Sequence, residues 1–79
     1  MVEVFKTNVK LRSQADMLLE EIHASFKTYK ANFDLADCDN ILRVMSNDEL
    51  IEPAQLIRIL NKYGFEAEIL PDVIMYSAS

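Results

Sequence analysis

The chain has a single cysteine, Cys38, so no internal disulfide can form and the fold has to be held by its core. No stretch approaches the roughly 18 consecutive apolar residues of a membrane-spanning helix, and none of the first ten residues forms the apolar run of a secretion signal. The expected compartment is therefore the cytoplasm. Glycine occurs once and proline twice, too few for a linker or a low-complexity chain. Basic residues are also scarce, 8 against 13 acidic, for a net charge of −5. Lys6, Lys10, Arg12, Lys27, Lys30, Arg43, Arg58 and Lys62 are dispersed among acids, so neither nucleic acid nor an anionic membrane surface is an expected partner.

What is present is a folding composition. Of 79 residues, 51% are hydrophobic and 27% charged. A chain this short buries only roughly 60% of the surface it exposes when unfolded, so one small domain of modest stability is expected. Residues 1–70 carry the pattern of that domain, and residues 71–79 read as a carboxy-terminal tail in which Val73, Ile74, Met75 and Tyr76 form an apolar patch.

Val2 to Val9 alternates, with Val2 and Val4 on one side and Phe5, Thr7 and Val9 on the other, the pattern of a strand. Ser13 followed by Asp16 reads as a helix start in which a hydroxyl caps a free amide and a carboxylate faces the positive helix end. Ala15, Leu18, Leu19, Ile22 and Phe26 then recur at helical spacing. Tyr29, Ala31, Phe33 and Leu35 alternate with polar residues as a second strand. Residues 36–40 form a polar turn, and Ile41 to Met45 return as the third strand of a hairpin.

Residues 46–52 read as a polar connection. Pro53 suits the first turn of a helix, where its missing amide hydrogen costs nothing. Ile57 and Leu60, with Ala54 and Leu56, supply that helix with a buried stripe. Gly64 stands where the helix must stop in a left-handed conformation. Phe65, Ala67 and Ile69 alternate as a fourth strand, and Pro71 ends it.

The order strand–helix–strand–strand–helix–strand predicts an α+β domain of the ferredoxin-like type, a four-stranded antiparallel sheet with both helices on one face. Right-handed crossovers place the first and third strands in the centre and the second and fourth at the edges.

Over residues 2–70 this pattern resembles the heavy-metal-associated domain. The similarity lies in Thr7-Asn8-Val9 closing the first strand, Leu18 and Ile22 in the helix, Phe33-Asp34-Leu35 and Ile41-Leu42-Arg43-Val44 in the hairpin, and Tyr63-Gly64-Phe65-Glu66-Ala67 at the end. In that family the first loop carries Gly-Met-x-Cys-x-x-Cys, whose thiolates hold a soft ion such as Cu(I) or Zn(II). The resemblance lays Asn8 and Val9 on the Gly-Met positions and Leu11 and Gln14 on the two cysteines. Neither replaces a thiolate, so the resemblance implies the fold and not metal delivery.

The densest alternative set of metal ligands is Asp37, Cys38 and Asp39, beside Asp34 and Asn40. Turn formation selects the same residue types, and the spacing of an oxygen-ligand calcium loop is absent. The acidic neighbours of Cys38 work against thiolate formation. A metal-binding or metal-sensing protein built on Cys38 and these acids is the alternative function. His23 stands without an Asp, Ser or Cys at a readable spacing, and the carboxylate pairs Glu20/Glu21 and Glu66/Glu68 read as solvated faces. No catalytic residue and no cofactor is expected, and the chain reads as a non-enzyme.

The alternation leaves Val2, Val4, Ile41 and Met45, with Lys6 and Arg43, on the sheet face away from the helices, rimmed by Asn32, Asp34, Glu66 and Glu68. An uncovered sheet ordinarily presents polar residues there. An apolar centre with a charged border is the composition of an interaction patch. The patch lacks the aromatics that single-stranded RNA stacks upon. The expected role is a protein-interaction or assembly module, docking a protein partner or another copy of itself through Val2, Val4, Ile41, Arg43 and Met45 or an edge strand. The chain's own tail is the competing cover for that face.

Overall fold

The computed structural model describes residues 2–36, 40–47 and 50–70, and over them the expected order of elements is found. Strand β1 is Val2–Thr7, helix α1 Arg12–Ser25, β2 Tyr29–Asp34, β3 Ile41–Ser46, helix α2 Pro53–Lys62 and β4 Ala67–Ile69. The sheet runs β2-β3-β1-β4, antiparallel throughout. It is a ferredoxin-like α+β fold with β1 and β3 central. Residues 71–79, including Val73 to Tyr76, lie outside the described residues.

Register explains the core. Phe33 faces Leu42, Leu42 faces Phe5, and Phe5 faces Ile69, so one row crosses all four strands on the helix side. Ala15, Leu18 and Ile22 of α1, and Leu56 and Leu60 of α2, close over Phe5, Leu42 and Val44, and every one of these eight is fully buried. Each of the larger side chains contributes about 1.5–3 kcal/mol through removal of apolar surface from water.

The expected boundaries shift in several places, among them Leu35, which lies just past the end of β2 at Asp34. Helix α1 starts at Arg12, not at Ser13: the Leu11 carbonyl accepts the Ala15 amide, and the Gln14 Oε1 accepts the Leu11 amide at 3.4 Å. Leu11 has no side-chain acceptor of its own, so only this half of a capping box operates. Strand β1 ends at Thr7 because the Thr7 hydroxyl accepts the Val9 amide at 3.2 Å and turns the chain. Val9 is consequently a fully buried loop residue.

Strand β4 starts at Ala67, not at Phe65. The Phe65 amide donates to the Leu60 carbonyl and its carbonyl accepts from the Asn61 side chain, while the Glu66 amide is taken by the Asn8 Oδ1 at 2.8 Å. In the 46–52 connection, expected to be polar, Ser46 belongs to β3 and Ile51 is buried in the core. On α2 the buried stripe is Leu56 and Leu60 with Ile57 half-buried, and Ala54 is exposed.

Two local predictions hold in detail. Gly64 has φ +88°, and the bonds from Gly64 to Asn61 and from Phe65 to Leu60 complete a Schellman motif at the end of α2. Pro53 occupies the first turn of the same helix.

Tyr29 adds a tie that hydropathy does not show. Its ring stacks on Phe26 at 4.6 Å, and its hydroxyl donates to the Leu50 carbonyl at 3.3 Å and accepts the Glu52 amide at 3.0 Å. This fixes the chain entering α2 against the start of β2. Tyr29→Phe retains the ring and removes both bonds, and is expected to cost about 1–2 kcal/mol. Urea unfolding checks this, with a lower midpoint at unchanged slope.

Candidate interaction surface

Two surfaces stand opposite or beside the helices among the described residues: the sheet face away from them, and the sheet edges. The open face is built in rows. Lys30, Met45 and Val2 form one row, Asn32, Arg43 and Val4 the next, and Asp34, Ile41, Lys6 and Glu68 the third. The residues expected there are thus brought together on the two central strands.

They are not equally accessible. Val2 is 53% and Met45 42% exposed, directly opposite one another, and Val4 is half-buried beside exposed Arg43. Ile41 is 7% exposed, between Lys6 and Asp34 in the polar row. The accessible apolar surface is therefore narrower than the sequence pattern suggests, and lies at the Val2–Met45 end.

The two edges differ sharply. The outward groups of β2 are engaged by α1 and the chain that follows it: the Ala31 amide donates to His23 Nε2 at 3.1 Å, the Phe33 carbonyl accepts from Arg12 Nη2 at 3.2 Å, and the Tyr29 amide donates to the Phe26 carbonyl at 3.1 Å. Arg12 and His23 are eleven positions apart on a helix of 3.6 residues per turn, which puts them on one side of it. His23 thus acts as a backbone acceptor that blunts an edge strand. Its spacing from Arg12 is the only signal of this in the sequence.

At β4 the Leu70 amide donates to the Val4 carbonyl at 2.8 Å. Backbone direction alternates along a strand, so Glu68 also faces β1, and Ala67 and Ile69 turn their amide and carbonyl groups outward. Among the described residues these outward groups have no hydrogen-bond partner. Between α2 and the β1–β4 pair lies a groove of about 510 Å³, lined by Ile57 and Asn61 of α2, by Lys6, Thr7 and Asn8 at the end of β1, and by Glu66, Ala67 and Glu68. The pattern of alternation does not indicate it, because it forms between a helix and a strand that approach one another only in the folded chain.

The metal candidates Asp37, Cys38 and Asp39 lie outside the described residues. Nearby, the Asp34 Oδ1 accepts the Ala36 amide at 3.2 Å, an Asx turn. Asn40 has φ +50°, a left-handed conformation that asparagine tolerates. Among the described residues no three His, Cys, Asp or Glu side chains converge as a metal site. Glu20 is exposed, and Glu21 accepts the Tyr63 hydroxyl at 3.1 Å. No described helix is long and apolar enough to cross a membrane.

No protein-family model, curated protein or solved structure matches the chain.

Proposed function

We propose that this chain is a non-enzymatic protein-interaction module that docks a protein partner through the Val2–Met45 end of its open sheet face. The observation that carries this is the exposure of two large apolar side chains placed opposite one another on the central strands, where an uncovered sheet face is ordinarily polar. Arg43 and Lys30 stand beside them in neighbouring register positions, the apolar centre and charged border of a docking patch. The resemblance to the heavy-metal-associated domain fits a scaffold kept for its shape. At the positions aligned with its thiolates stand Leu11, exposed, and Gln14, which accepts the Leu11 amide.

A photo-crosslinking residue placed at Met45 in the full chain, in its native cell, tests this against the same residue at Glu20 on the outer side of α1. A discrete protein adduct is expected from position 45 and not from position 20. Val2→Lys is expected to reduce that adduct by about tenfold or more, as the loss of a well-placed apolar contact does, while leaving the fold intact. An adduct pattern indistinguishable between the two positions overturns the proposal.

A further inference from the structure

We propose that the outward edge of β4 accepts an extended, basic segment of another protein as a fifth strand. The inference takes from the docking reading only the idea that the chain binds protein. Its own basis is separate.

The two edges of the sheet are asymmetric. Groups on β2 are engaged through His23, Arg12 and Phe26, and the Phe65 groups leading into β4 are engaged by Leu60 and Asn61. Among the described residues the run of unengaged backbone groups begins at Ala67, where Ala67 and Ile69 present alternate amides and carbonyls, and Ile69 is 46% exposed. Strand addition requires this arrangement of main-chain donors and acceptors.

A strand added to β4 directs alternate side chains to the two faces of the sheet. On the helix side they run toward α2, whose Ile57 and Asn61 line the groove over β1 and β4, and on the open side they lie next to Glu68.

Charge selects the occupant. Of the charged groups bounding the groove, Glu66 and Glu68 outnumber Lys6, and the whole chain carries −5. Among the described residues neither glutamate forms an ion pair; Glu68 faces Lys6 across the β1–β4 register, and Glu66 has no basic residue opposite it. A second copy fits poorly. The two-fold antiparallel register that uses the outward groups of both Ala67 and Ile69 sets Glu68 opposite its own copy, and like charges directly opposed on a sheet are destabilising. Lysine or arginine at that position of a partner strand converts the repulsion into a cross-strand pair.

The test titrates the full chain, labelled with ¹⁵N, with an end-capped hexapeptide alternating lysine and valine, and separately with its glutamate–valine counterpart. The lysine peptide is expected to shift the amides of Ala67, Glu68 and Ile69, with a response to the glutamate peptide weaker by about tenfold or more, since like charges placed across an interface suppress the wrong partner. Ile69→Pro removes an outward amide and is expected to abolish the response. Because proline can also disturb β4, the double variant Glu66→Lys, Glu68→Lys is the second arm, and should reverse the peptide preference. Shifts centred on Val2 and Met45, equal response to both peptides, or no response at millimolar peptide overturns the inference. So does protein-concentration-dependent shifting of β4 without peptide, which assigns the edge to a second copy. Crosslinking from position 45 is read independently, so an unresponsive β4 together with a position-45 adduct removes this inference and leaves the docking module standing.

Discussion

Phe5→Ala is expected to leave the domain at or near the limit of folding, at a cost of about 3–5 kcal/mol. Phe5 is fully buried on a central strand, opposite Leu42 on one side and Ile69 on the other. Truncation forfeits the transfer free energy of the ring and leaves a cavity that fixed strands on both sides cannot close. Roughly 70 structured residues at about 0.05–0.15 kcal/mol each give a total stability near 4–10 kcal/mol. One side chain therefore carries a third or more of it. Val2→Ala, on the opposite face of the same strand and 53% exposed, is expected to change stability by no more than about 0.5 kcal/mol. Equilibrium urea unfolding of the two variants side by side measures the difference. Similar costs at both positions contradict the assignment of faces along β1.

That assignment is legible in the order of residues alone, because strand alternation has a period of two and the apolar residues obey it. Val2 and Val4 separate from Phe5 and Thr7, and Leu42 and Val44 from Arg43 and Met45. The single glycine locates the end of α2, since a Schellman motif needs one residue in the left-handed region and Gly64 adopts it at least cost. Less legible are features that depend on contacts between distant residues. Val9 continues the strand pattern of β1, yet it is buried from a loop because the Thr7 hydroxyl redirects the chain. Ile51, in a connection that reads as polar, and the Tyr29 hydroxyl that holds both neighbours of Ile51, carry no periodic signal.

The candidate surface divides the same way. Alternation places Val2, Val4, Ile41, Arg43 and Met45 on one face, and the register agrees. It carries no information on how deeply each is covered, which is why Ile41 shares its pattern with residues far more exposed. Nor can it distinguish the two edges. That distinction depends on where α1 lies across the sheet, and so on whether Arg12 and His23 can reach the backbone of β2. Edges that look equivalent in sequence differ among the described residues: the outward groups of β2 are engaged by Arg12, His23 and Phe26, and those of Ala67 and Ile69 are not engaged.

Thr7→Val should cost about 2–4 kcal/mol although it preserves shape and adds apolar surface, because the hydroxyl serves two partners at once. Thr7 is 7% exposed. Its oxygen donates to the Asn40 carbonyl at 2.6 Å and accepts the Val9 amide at 3.2 Å. Valine leaves a buried amide and a partly buried carbonyl without those bonds, and each orphaned group costs about 1–3 kcal/mol. The bond to Asn40 also spans 33 positions of sequence, tying the turn after β1 to the residue that leads into β3. Losing it should loosen the end of the domain where the first loop and the hairpin meet, with faster hydrogen exchange at Val9 and Leu42 than at Leu60. Thr7→Ser keeps the oxygen and loses one methyl, so it should retain the protection of the Val9 amide and most of the stability. If the serine variant is as unstable as the valine variant, packing of the methyl and not the paired hydrogen bonds holds these loops together.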